Sequence, residues 1–233
     1  MSEVQLTVND LHDLRNRIVE IAQETMNDRK AMTTLYSSFD PELDIRITSI
    51  GRLLRTFNAT SLSLIFMYKH LMSTEWWHDN INSSFSDSKI ISYTEGYSWF
   101  SRASLLQFTF ACLESSFRII LRTLDSTACD NAMGSFKSVY DCLLTSKLSK
   151  CPSESIELLD LLRLVRNTIH NNGVYFHRSG QNELVNWQGE DYEFKQGIPI
   201  DFVNWSFCIN IADASRVLLR SVVEDPSLHG INQ

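Results

Sequence analysis

Residues 94 to about 124 run without a proline and, past Gly96, without a glycine, while Leu105, Phe108, Cys112, Ile119 and Leu121 recur at helical intervals. A segment written this way is a long helix, and its apolar residues need cover from other elements. It is predicted to be the central member of a helical bundle, capped by Thr94 or Glu95.

The flanking segments supply the cover. Leu11, Leu14, Ile18, Ile21 and Ala22 are spaced by three and four, and Asn9 or Asp10 can cap that first helix. Asp40-Pro41 breaks the chain, and Ile47, Ile50, Leu54, Phe57, Leu62 and Phe66 then mark a second helical register, with Gly51 and Ser61 allowing a bend. The polar stretch "HDNINSSFSDSK" is read as a loop, because Asn, Ser and Asp side chains compete for the backbone. Residues 131 to 148 and 153 to 172 are predicted as shorter helices, the second capped by Ser153 with Glu154 and Glu157 in its first turn. Between Gly173 and Asp201 the period becomes two: "VYFHR", "ELVNWQ" and "DYEFKQ" suggest a small antiparallel hairpin or meander holding His177 and Trp187. Pro199 and Asp201 then open a last helix to about Val223. The expectation is a mainly α protein, with a β-hairpin inserted before the final helix.

Bulk properties bound the function. A chain of 233 residues with 43% hydrophobic and 21% charged content can bury one sizeable core. It is predicted to form a single domain, divided into N-terminal helices (1–78), a central bundle (94–172), a hairpin (173–200) and a C-terminal helix (201–224). A net charge of −7 excludes a general basic field for nucleic acid, so any such contact must be local. Cys112, Cys129, Cys142, Cys151 and Cys208 lack the close pairing of a zinc or redox motif and read as reduced thiols of a cytoplasmic protein. The start shows no export signal, and no stretch is read as a membrane span, so the glycosylation-like strings at Asn58 and Asn82 carry no weight. Neither an internal repeat nor a glycine-rich phosphate loop is present.

One stretch changes character in its middle. "LLRLVRNTIHNNGVYF", residues 161 to 176, begins as a core helix and then sets Arg163, Arg166, Asn167 and His170 on one face before breaking at Gly173. Arginine pairs phosphate oxygens, and histidine moves protons near neutral pH, so the set suits a phosphodiester. Helix-end chemistry accounts for part of it: Gly173 suits C′, Asn171 and Asn172 suit a terminus, and a histidine is favoured at the negative dipole end.

"LLRLVRNTIHNNG" at the end of a helix in a mainly helical chain resembles the motif helix of HEPN-domain proteins, where four to six residues stand between an arginine and a histidine. Many members are metal-independent ribonucleases of toxin, antiphage or RNA-processing systems; others keep the fold and only bind or scaffold. The resemblance implies a HEPN-like bundle that acts on RNA by 2′-hydroxyl attack, with no cofactor and no metal. His170 would be the general acid or base, Arg166 would stabilise phosphoryl charge, and Asn167 would orient the ribose or phosphate. Arg166 has the following Asn that the family pattern wants but only three intervening residues; Arg163 has the longer spacing but is followed by Leu164. Arg163, Asn171, Glu114 and Arg118 are carried as substrate-binding or supporting candidates. The resemblance also implies a homodimer with two motif helices near its axis, and a cognate antitoxin or defence partner. The alternative is a non-catalytic module that binds a nucleotide or RNA. Weaker candidates are Arg52 and Arg55 as an RNA track and Trp76, Trp77 and His78 as stacking residues, for which surface charge and packing are the simpler roles.

Overall fold

The computed structural model describes residues 6–128 and 135–231. It is mainly helical: α1 is Val8–Leu35, α2 Ile45–Phe66, α3 Thr74–Asn80, α4 Asp87–Leu124, α5 Phe136–Cys142, α6 Ser155–His170 and α7 Trp205–Val223. The strands β1 (Glu183–Trp187) and β2 (Glu190–Phe194) lie between α6 and α7. Single π turns extend α2 (Met67–Leu71) and α5 (Leu143–Lys147).

The central position expected for α4 holds. It packs against α2, α5, α6 and α7, while α1 pairs along α2. Leu113, Phe117 and Leu121 of α4 meet Phe57, Tyr140, Leu159 and Leu219 in one buried cluster. α4 is also long and apolar enough to cross a membrane, because its polar residues are largely hydroxyls rather than charges, but 56% of that apolar window is buried within the fold. The sequence reading of no such stretch is corrected on length and composition.

Two buried charge sites lock the bundle. Arg46 is fully buried between the rings of Tyr36 and Phe39, pairs with Asp44, and donates to the Leu228 carbonyl, tying the α1–α2 connection to the C-terminus. Asp28 of α1 accepts from Arg216 and Arg220 of α7. Buried charges persist where each is paired, and removing one partner strands the other.

Several helix boundaries differ from expectation. α1 is capped by Thr7, whose hydroxyl accepts from the Asp10 amide while the Asp10 carboxylate accepts from the Thr7 amide, a reciprocal capping box. α4 starts at Asp87, not near Thr94, since buried Ile90 anchors an earlier turn; the expected loop shrinks to the link between α3 and α4, and Thr94 instead donates to the Leu71 carbonyl. The predicted start of α5 at 131 lies outside the described residues, as does Cys129; Cys112, Cys142, Cys151 and Cys208 are free. α6 starts at Ser155 behind a left-handed Glu154, so Ser153 does not cap it. α7 is capped by Asn204, because an antiparallel bridge from Val174 to Pro199 and an Ile200 bond to Gly173 hold the preceding residues extended.

Only two of the three expected strands form. β1 and β2 pair antiparallel from Glu183↔Phe194 to Trp187↔Glu190, closed by Gln188 and Gly189, both at positive φ, as a tight two-residue hairpin requires. "VYFHR" contributes one isolated bridge rather than a strand, and His177 precedes the hairpin; Val185, Trp187 and Phe194 face inward.

Candidate functional site on the motif helix

The polar residues of α6 share its outer face but have different surroundings. Leu158, Leu161, Leu162 and Val165 bury the opposite face, so packing fixes the rotation of the helix. Its C-terminus is a complete Schellman motif. The Asn172 amide donates to Ile169 and the Gly173 amide to Thr168 at 2.9 Å. Asn172, at φ 55°, therefore occupies C′, and Gly173 stands one place later than expected, also at positive φ. This tight ending leaves His170 and Asn171 exposed at the rim.

Arg163 is engaged. Its Nη2 donates to Asp160 at 3.1 Å and lies 3.6 Å from Glu183 of β1. Asp160 also accepts from the Tyr140 hydroxyl at 2.6 Å and from Lys137, while Glu183 accepts from Tyr175 and lies 3.4 Å from His177. Burial pushes the Asp160 carboxyl up, but bonds from Tyr140, Lys137 and Arg163 outweigh it and hold the group below the ordinary carboxylate range. Burial and the Asp160 carboxylate push the Tyr140 phenol well above its usual value. Arg163 thus belongs to a polar knot joining α5, α6 and the hairpin.

Arg166 has no carboxylate partner among the described residues. Its Nη1 donates to Asn167 Oδ1 at 3.1 Å, and its guanidinium carbon lies 5.3 Å from the centroid of the Phe110 ring. Gln107 of α4 donates to the Arg166 carbonyl at 3.4 Å, which fixes this turn against the central helix. Arg166 and Asn167 are half-buried, whereas His170 is exposed in the last turn. The arrangement can hold an anion against Arg166 with an imidazole one turn away.

Glu114 and Arg118 pair with each other on α4 at 2.7 Å. Arg52 donates to Ser115 and Arg55 to the Gly51 carbonyl, both from exposed positions. Trp77 is buried and donates to Leu71, and the His78 ring bonds the Phe85 carbonyl; these two serve packing. Among the described residues no group of three His, Cys, Asp or Glu side chains could hold a metal ion.

Sequence reasoning missed an apolar surface beside α6. Phe108, next to Gln107, is 64% exposed, and Leu62, Phe66, Phe100 and Ile119 are exposed too, so the core placement expected for Leu62, Phe66, Phe108 and Ile119 is corrected. The outer faces of α2 and α4 are joined, at one end by Arg52 to Ser115 and at the other by the rings of Phe66 and Tyr97, 5.9 Å apart. α2 carries no acidic residue, and α4 beyond Gly96 carries only Glu114. On a protein of net charge −7 this is an acid-poor, apolar face. A count of acidic residues per helix would have found it. No family model, curated protein or solved structure matches the chain, so the reading of this site rests on its own geometry.

Proposed function

We propose that this chain is a HEPN-like ribonuclease that cleaves RNA by attack of the 2′-hydroxyl on the adjacent phosphorus, needing no metal, as a toxin or antiphage effector of the bacterial cytoplasm. The observation that carries the reading is Arg166: a guanidinium without a carboxylate partner among the described residues, resting over Phe110 and bonded to Asn167, one helical turn from an exposed His170. In the reaction His170 takes the 2′-hydroxyl proton or returns one to the leaving 5′-oxygen. Arg166 meets the charge growing on the non-bridging oxygens, and Asn167 aligns the guanidinium with them.

The single imidazole of the motif helix serves one of the two proton transfers, and neither of two clefts, of about 340 and 380 Å³, is lined by Arg166, Asn167 or His170. A homodimer supplies both missing parts. Its interface would be the α2–α4 face, where Leu62, Phe100 and Phe108 are exposed and Phe108 adjoins Gln107, which bonds the motif helix. An antitoxin or other defence partner would cover the same surface. The open setting of His170 also favours a second reading, an RNA- or nucleotide-binding module that holds a phosphate on Arg166 without cutting. The test is incubation of the purified protein with RNA in a metal chelator: cleavage to 2′,3′-cyclic phosphate ends supports the enzyme, and retention without cleavage supports the binder.

A further inference from the structure

We propose that the cleft beside the π turn after α2 binds a small amphiphilic cation, an ammonium group on a hydrocarbon body. The π turn Met67–Leu71 inserts an extra residue into the helical path, a feature that recurs at functional sites. It is pinned in place: the Leu71 carbonyl accepts from both Trp77 Nε1 and the Thr94 hydroxyl, each at 2.9 Å. Behind it Trp205 Nε1 donates to Ser98 at 2.9 Å and fixes the back wall.

The space so framed is about 340 Å³, within the range of small-molecule sites. Met67, Leu71 and Ile90 form a buried apolar floor, and Ile91 closes one side. Two carboxylates, Asp87 and Glu95, stand on the α4 side. They are two helical turns apart, roughly 12 Å along the axis. Neither has a cationic partner among the described residues, and no Lys, Arg or His lines the cleft. Asp87 lies in the first turn of α4. An apolar interior under an anionic rim free of cations takes a hydrocarbon with a positive head, rejects a fatty carboxylate by repulsion, and holds a neutral alcohol without the ionic contact.

The full chain is titrated calorimetrically with decylammonium, decanol and decanoate, each below its self-association concentration. Decylammonium should saturate one site and bind about tenfold more tightly than decanol, with decanoate weaker still. Octylammonium should lose roughly fourfold per methylene removed, the burial value of about 0.8 kcal/mol converted to affinity. The exposed pair Asp87→Asn/Glu95→Gln should bring decylammonium to the level of decanol, and Ile91→Lys should abolish binding while circular dichroism keeps the parent helix content. Equal binding of decylammonium and decanoate, unsaturable binding, no binding of any probe, or undiminished affinity in the double variant overturns the proposal.

Discussion

Arg163 donates to Asp160, one turn back on the same helix, at 3.1 Å, and Glu183 of β1 lies 3.6 Å from the same guanidinium nitrogen. Two carboxylates therefore hold this arginine before any substrate arrives, whereas Arg166, three residues on, has none among the described residues. One helix face carries a structural cation and an available one.

Substituting the two should separate stability from activity. Arg163→Ala removes the cation from Glu183 and leaves Asp160 with Lys137 alone, and is expected to cost roughly 1–3 kcal/mol of stability, the scale of a partly buried pair losing one member. Arg166→Ala should leave the melting temperature close to the parent and lower the cleavage rate about 100-fold, the scale of one lost charge donor. Thermal melts and single-turnover cleavage on the same preparations check both. A large rate loss in Arg163→Ala at unchanged stability would return the substrate role to Arg163.

The exposed apolar face makes a prediction about assembly. Phe108→Glu places a charge at the centre of the α2–α4 surface, where the parent side chain is 64% exposed and adds little to the monomer core. Light scattering should show a dimer for the parent and a monomer for the variant, at equal helix content, with cleavage lost along with the dimer. A parent that is monomeric at micromolar concentration removes this part of the account.

Asp225 sets an acid limit. Burial pushes its carboxyl up, but bonds from Ser227 and Ser149 outweigh this and hold it at about 2. Because the folded value lies below the ordinary one of about 3.9, the stabilisation is fully present above roughly pH 4 and is lost as pH falls toward 2. Asp225→Asn should melt below the parent at pH 7, and the gap should narrow between pH 4 and pH 2. A gap independent of pH would mean that the charge contributes nothing.

The parts legible in the sequence were those set by local chemistry. The apolar spacing of α1, α4 and α6, the turn at Gly189 and the tight ending near Gly173 follow from side chains within a few residues of one another. The site was legible as a face, because spacing alone brings Arg163, Arg166, Asn167 and His170 to one side of a helix. What escaped depends on long-range packing. Glu183 reaches Arg163 across twenty positions, so no local pattern shows that this arginine is engaged. Phe108 and Ile119 fit the helical register as well as Leu105 does, and only the layout of the neighbouring helices decides that they face outward. Pro199 can open a helix, but the bridge to Val174 holds it extended. The π turn at Met67 has no signature in a stretch that reads as continuous helix.

The most direct test of the central claim compares parent and His170→Ala on a single-stranded RNA in excess chelator, with the product ends identified by mass spectrometry. His170 is exposed at the end of α6, so its removal should leave the fold intact. The parent should produce 2′,3′-cyclic phosphate ends, and His170→Ala should be slower by about 100-fold or more, the contribution of one positioned proton-transfer group. RNA left equally intact by both proteins, or cleaved equally by both, would contradict the claim.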